Sequence, residues 1–253
     1  MKKYILIYVI SIFFLLPSLS SARQIAIIGA MDSEIESFLS VMEKVTKEQY
    51  ANTTFYKGKL HNKDVIVFKS GIGKVNAAIA TTVALEKYDI NTIIFTGVAG
   101  AVSPDLQITD IVISDYLVQH DYDTTALGTP RGHVPSSTNG RFKADTKLVQ
   151  IAKESAEKII GTTKVHIGII ATGDQFIADR KKVQELRVEF NTTAVEMEGA
   201  SVAQVATLYQ IPFVVIRAIS DKADGSAHMD YREFEKIAAQ NSSRKVKNIV
   251  NKL

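Results

Sequence analysis

From residue 24 onward the chain alternates short β-branched apolar runs with longer segments whose apolar residues recur every three or four positions. Gln24–Gly29, Thr92–Thr96, Ile111–Val118, Val165–Ile170 and Phe213–Ile219 have the near-continuous apolar character of buried strands. Phe55–Leu60 and Val65–Lys69 flank the turn-forming His61-Asn62-Lys63-Asp64 and predict a hairpin. Helical periodicity predicts helices over Ser33–Met42, beginning at Asp32 or Ser33, and over Gly73–Tyr88, Thr146–Ile160, Lys181–Phe190, Gly199–Tyr209 and Tyr231–Lys252. In the Gly73–Tyr88 segment the predicted apolar stripe combines alanines with Val75, Ile79, Val83 and Leu85. One long loop, Asp121–Gly140, interrupts the alternation, and no linker or repeat divides the chain after Ala22. This pattern predicts a single α/β domain over residues 23–253, with a central mixed, mostly parallel sheet and helices on both faces.

Residues 1–22 break the pattern. Met1-Lys2-Lys3 is basic, Tyr4–Leu16 is apolar, and Pro17 is followed by the small residues Ser18 to Ala22. That order is the order of a secretory signal peptide, and the apolar run is shorter than the roughly 20 residues of a membrane-spanning helix. The leader predicts export to a periplasm, a cell surface or the medium. If it stays uncleaved, it becomes a membrane anchor. The formal charge of +3 falls to +1 once Lys2 and Lys3 are set aside. A nearly neutral chain gives no ground for nucleic-acid binding, which needs a concentrated basic face. With no cysteine, thiol nucleophiles, thiolate metal sites and disulfides are excluded, and the five histidines show no ligand spacing.

Candidate chemistry gathers where predicted strands end, which is where open α/β sheets bind ligands. Gly29-Ala30-Met31-Asp32-Ser33-Glu34, Thr96-Gly97-Val98-Ala99-Gly100, Val195-Glu196-Met197-Glu198-Gly199 and Ile219-Ser220-Asp221 would meet at one edge of a parallel sheet. Each has a plainer reading. Asp32 or Ser33 can be a helix cap, Glu34 a first-turn carboxylate, the glycines a tight turn, and Asp221 a cap. Glu196 and Glu198 resist that reading, because carboxylates framed by Val195 and Met197 are seldom buried without partners.

Gly29-Ala30-Met31-x-x-Glu34, Ser70-Gly71-Ile72-Gly73-Lys74-Val75, Thr96-Gly97-x-Ala99-Gly100, Gly173-Asp174-x-Phe176-Ile177, Val195-Glu196-Met197-Glu198 and Arg217-Ala218-Ile219-Ser220-Asp221 occur in this order. The set resembles the 5′-methylthioadenosine/S-adenosylhomocysteine nucleosidases of the purine nucleoside phosphorylase and nucleosidase superfamily, here in an exported version. The resemblance implies a homodimer without a cofactor that hydrolyses the bond between adenine and a 5′-thio-substituted ribose. It implies Asp221 as the acid at N7 of the purine, Glu34 as the base that holds the attacking water, and Glu198 gripping the ribose hydroxyls beside Met197. Phe176 would carry the adenine, main-chain groups at Ile177 would read its edge, and Ser220 would steady Asp221. Ala30, Met31 and Ile72 would line the sugar and alkylthio side. An ordinary aspartate is ionised at neutral pH and cannot donate, so Asp221 must be raised by burial or protonated through the purine. Arg217 would oppose this if it faced Asp221, as strand alternation allows.

The chain departs from the family's pattern in two places. Val98 stands where a serine hydroxyl is common, which leaves Glu34 to hold the water with less help. Leu127 and Thr129, with Pro135 retained, stand in the long loop where family members place aromatics that reach a neighbouring subunit's pocket. Two other functions compete. A nucleoside phosphorylase would need a cationic phosphate clamp where this chain has Asp32 and Glu34. An exported adhesin would use Arg180-Lys181-Lys182 and Arg244-Lys245-x-Lys247 for weak binding to sulfated polysaccharide. Dinucleotide binding is weaker still, since Gly71-x-Gly73 lacks a third glycine and follows a hairpin strand.

Overall fold

The computed structural model describes residues 23–224 and 226–253, with only the backbone of Lys245. The predicted leader, residues 1–22, lies outside the described residues. The described residues open with β1 (Gln24–Gly29) and α1 (Asp32–Leu39), followed by the meander β2 (Glu43–Tyr50), β3 (Thr53–Leu60) and β4 (Lys63–Lys69). Next come α2 (Lys74–Lys87), the long β5 (Ile90–Ala101), β6 (Ile111–Gln119) and the two-residue β7 (Phe142–Lys143). The chain ends with α3 (Thr146–Ile160), β8 (Val165–Thr172), α4 (Arg180–Phe190), β9 (Thr192–Glu196), α5 (Gly199–Leu208), β10 (Phe213–Asp221) and α6 (Ala227–Lys252). The predicted single α/β domain with a mixed sheet is the observed architecture.

The strands form one sheet in the order β10-β6-β8-β9-β5-β1-β4-β3-β2, and β10 also pairs with β5. That second pairing rolls β5, β10, β6, β8 and β9 into a ring. β5 is the axis of the arrangement. It lies parallel to β1 from Ile90 to Phe95 and to β10 from Ile93 to Gly100, and its last residues, Gly100 and Ala101, pair antiparallel with Val195 and Ala194 of β9. The four candidate strand ends therefore do meet, but not because all four strands run parallel. β9 arrives from the opposite direction onto the extended tail of β5. Phe38, Phe55, Phe68 and Phe95, all fully buried, fill the space between sheet and helices.

Several local differences from the sequence pattern have clear causes. β2 is not predicted, because none of its residues is buried and no apolar alternation marks it; it is held by ladder pairing to β3, by the Tyr88 hydroxyl on Glu48 and by Tyr50 against the core. In α2 the buried positions are Ala77, Ala80, Thr81 and Ala84, while Val75 and Ile79 are 68% and 47% exposed. α2 packs closely on α5, and small side chains allow that approach, so the larger apolar residues are left outside. α1 stops at Leu39 instead of Met42, and α6 begins at Ala227, a turn before the predicted Tyr231.

Candidate active site

A cavity of about 320 Å³ opens where β1, β5, β9 and β10 end, within the usual range of about 300–1,000 Å³ for small-molecule sites. Of the predicted site residues, Ala30, Met31, Glu34, Ile72, Val98, Phe176, Met197, Glu198, Ser220 and Asp221 line it. Ile177 does not. Its side chain lines a side cavity of about 40 Å³, which shares Phe176, Met197 and Asp221 with the main one. Among the described residues no lysine or arginine lines the main cavity. Among the described residues no group of three or more His, Cys, Asp or Glu is placed to hold a metal ion.

Glu34 is fixed at the third position of α1. Its Oε2 accepts the N–H groups of Ala30 (2.5 Å) and Met31 (3.0 Å), and its Oε1 accepts the N–H of Val98 (3.1 Å). The bond to Met31 closes half of a capping box, so the plain capping reading and the functional one apply to the same side chain. The cap residue of α1 is Met31, not Asp32 or Ser33. Glu34 is 2% exposed, and burial raises its pKa against the opposing pull of Arg217 and the three N–H donors.

Asp221 is the last residue of β10 and lines the same cavity as Glu34. Ser220 Oγ donates to its Oδ2 and the Ala223 N–H to its Oδ1, both at 2.8 Å. Burial raises its pKa, those two bonds lower it, and Asp230 and Asp224 push it further up. Arg217 does not face Asp221. The pairing of β10 with β5 slips between Ile219 and Asp221, so Ser220 is an extra residue and the alternation that put positions 217 and 221 on one face is broken. A Cβ on Gly97, the partner of Arg217, would fall 2.7 Å from both Arg217 Nη1 and Glu34 Oε1. A Cβ on Gly100, three residues on, would fall 2.9 Å from Asp221 Oδ1. Gly97 thus makes room for the arginine beside Glu34, and Asp221 lies across the strand from both.

Arg217 is itself buried at 1% exposure, with Nη2 2.5 Å from Glu196 Oε2 and its guanidinium 4.1 Å from the Phe95 ring. Glu196 also accepts from Thr172 Oγ1 and from the N–H of Gly199 (2.7 Å) at the start of α5. Of the two framed glutamates, Glu196 is therefore a fully partnered structural carboxylate. Among the described residues Glu198 accepts the Gly73 N–H alone (2.8 Å), and burial next to Glu196 raises its pKa to about 8. Gly73 can make that bond because its backbone has φ +94°, a conformation side chains disfavour.

Tyr231, one turn into α6, was not among the sequence candidates. Its ring stands edge-on to Phe176 (5.5 Å, 76°), and its hydroxyl donates to Met31 Sδ at 3.2 Å. In sequence it sits among charged residues, and only the docking of α6 over the strand ends brings it to the cavity.

A profile of the phosphorylase superfamily matches residues 24–251. The chain is 44% identical over 230 residues to a protein of Anoxybacillus flavithermus named 5′-methylthioadenosine/S-adenosylhomocysteine nucleosidase, covering 90% of this chain and 98% of that one. It is 42% identical to an aminodeoxyfutalosine nucleosidase of Campylobacter jejuni, covering 91% and 99%. The crystal structure of the Neisseria meningitidis 5′-methylthioadenosine/S-adenosylhomocysteine nucleosidase with methylthio-immucillin-A superposes with a TM-score of 0.88 at 40% identity, over 91% of this chain and all of that one.

Proposed function

The chain belongs to the phosphorylase superfamily, and from that membership and the cavity we propose a nucleosidase mechanism built on Glu34 and Asp221. The reaction is hydrolysis of the N-glycosidic bond of 5′-methylthioadenosine and S-adenosylhomocysteine, which releases adenine and the thio-ribose product. The observation that carries the mechanism is the placing of two buried carboxylates in one cavity, with Arg217 beside only one of them.

As the C1′–N9 bond lengthens, the ribose gains oxocarbenium character and negative charge builds on the purine. Asp221, raised by burial and held by Ser220, protonates N7 so that adenine leaves neutral. Glu34, held by three N–H groups, aims one face of its carboxylate at the water beside C1′ and takes its proton. Glu198 accepts from the ribose hydroxyls, and Phe176 stacks on the base. Phosphorolysis is not favoured, because a phosphate dianion would enter a cavity lined by carboxylates and, among the described residues, by no cation. The test is adenine release from both thio-nucleosides and from aminodeoxyfutalosine, with and without phosphate. Formation of ribose 1-phosphate, or no release from either thio-nucleoside, would overturn the reading.

We also propose a homodimer and export. The dimer is supported by apolar side chains exposed around the cavity mouth and on α2, Ile72, Val75, Ile79 and Phe176, and by Leu127, 83% exposed in the long loop. Sedimentation that finds a fully active monomer would refute it. Export rests on the leader sequence, and recovery of the protein from the cytoplasm with Met1 intact would refute that. The polysaccharide reading gains little: Arg180 pairs with Asp224, Lys182 with Glu185, and Lys247 lies 5.9 Å over the Phe38 ring.

A further inference from the structure

Two of the ordered sequence motifs contain charged residues that the mechanism leaves unused, Lys74 after Gly71-Ile72-Gly73 and Asp174 before Phe176. They are a hundred residues apart and meet at the rim of the cavity, together with Asp121, the first residue of the long loop. Lys74 Nζ lies 2.5 Å from Asp121 Oδ1, the Lys74 N–H donates to Asp174 Oδ1 at 2.8 Å, and the Asp174 N–H donates to Asp121 Oδ2 at 2.9 Å. Gln119 Oε1 adds a longer contact to Lys74 Nζ at 3.4 Å. The Lys74 and Asp121 side chains are only 20% and 16% exposed, so solvent screens this pair less than a surface ion pair. Burial opposes ionisation of Asp121, but the bonds from Lys74 and Asp174 hold its pKa below the ordinary value.

The neighbours of these residues give the cluster its meaning. Gly73, next to Lys74, donates a backbone bond that Glu198 accepts. Phe176 lies two residues beyond Asp174. We propose that Lys74, Asp121 and Asp174 form a clamp that sets the span between Glu198 at the ribose end and Phe176 at the base end. This rests on the nucleosidase reading of the site. The three are positioning residues: none of them lines the cavity. A ligand that touches both ends binds through the clamp, and one that touches only the base end does not. Removing the lysine ammonium breaks the direct tie from α2 to Asp121 and leaves the Lys74 N–H bond to Asp174 to hold the start of the helix, which loosens Gly73 and with it Glu198. The purine loop stays tied to Asp121 through the Asp174 N–H.

The experiment compares the KM for methylthioadenosine with the inhibition constant of adenine in wild type, Lys74→Met, Lys74→Arg and Asp121→Asn. In Lys74→Met the nucleoside KM rises about tenfold with kcat changed by less than about threefold, while adenine inhibits within about twofold of wild type. Lys74→Arg recovers most of the loss. Asp121→Asn, which keeps an acceptor for the Asp174 N–H and loses the ion pair, follows Lys74→Met and serves if that variant does not fold. Equal weakening of nucleoside and adenine would mean a general structural role and overturn the clamp, as would an unmoved KM. If wild type releases no adenine from any nucleoside, the nucleosidase reading fails instead. Calorimetry with the intact nucleoside and with adenine then decides the clamp separately.

Discussion

Replacing Glu34 by glutamine tests the base assignment most sharply, because the structure allows structural and chemical effects to be separated beforehand. Three N–H groups converge on the carboxylate, two on Oε2 and one on Oε1. A glutamine whose amide oxygen takes the Ala30 and Met31 donors must turn its NH2 toward the Val98 N–H, so one acceptor contact becomes a donor facing a donor. Losing a hydrogen bond to a charged group costs about 1.5–3 kcal/mol. A neutral amide is also easier to bury at this site, which offsets part of that cost. The variant should fold, with a net loss of about 2 kcal/mol or less. The chemical effect is larger. A positioned general base contributes about 10²–10⁴-fold, or about 2.7–5.4 kcal/mol of barrier at 1.36 kcal/mol per decade. The expected result is at least a hundredfold loss in kcat for adenine release, with KM little changed.

The pH dependence adds a second readout. Burial raises the pKa of Glu34 above its ordinary 4.5, so the acid limb of kcat/KM in wild type lies above that value and disappears in the variant. The stability linkage has the opposite sense. The native state holds the Glu34 proton more tightly than the unfolded chain does. Its contribution to stability is therefore full below 4.5 and lost as pH rises through the raised native value. Glutamine has no such dependence, so the melting temperature of the variant relative to wild type should improve as pH rises through that window. A variant with more than a tenth of wild-type turnover, or with the acid limb intact, would show that water is activated elsewhere.

Three further substitutions test the rest of the site in the same assay. Asp221→Asn should fold, because the Ser220 hydroxyl can turn to accept from the new amide, yet lose about a hundredfold or more in turnover; near-wild-type activity would remove Asp221 from the mechanism. Val98→Ser keeps the backbone bond to Glu34 and gives up side-chain packing at the cavity wall, so it should cost about 1 kcal/mol by thermal unfolding. Its turnover should rise severalfold at most, the worth of one added hydrogen bond, and a loss larger than that of Glu34→Gln would refute the arrangement described. Gly97→Ala would drive a methyl to 2.7 Å from Arg217 Nη1 and Glu34 Oε1, and should destabilise by about 1–3 kcal/mol and cut activity together. An unchanged melting temperature and rate would mean that the arginine and the carboxylate are not packed as described.

The parts of this fold legible in the sequence are those where one face is buried and the pattern must show it. β1, β5, β6, β8 and β10 announce themselves through Ile, Val and Phe, and so does the hairpin of β3 and β4. β2 could not, since nothing on it is buried. The ring closure of β10 on β5 leaves no mark in periodicity, and neither does the irregularity at Ser220, because a single inserted residue shifts pairing without changing composition. Ten of the eleven candidate site residues line the cavity because their motifs sit at strand ends, where the sheet forces convergence. Tyr231 and the Arg217–Glu196 pair were hidden because their positions depend on how α6 and β10 pack, which is a long-range outcome.

That one inserted residue has a consequence for the chemistry. A hydrolysis of this kind needs one carboxyl that gives a proton and another that takes one, inside a single small cavity where both are desolvated. Burial alone raises both pKa values and cannot tell the two apart. The distinction comes from which charges each group faces. With unbroken alternation along β10, Arg217 and Asp221 would share a face, and the guanidinium would hold the proposed acid ionised. The slip after Ile219 turns Asp221 away, toward Asp224 and Asp230, which favour its protonated form. Arg217 is left with Glu196 as its direct partner and with Glu34 and Glu198 in its field. The same cation thus draws Glu34 toward the ionised form that a base needs and leaves Asp221 outside its reach.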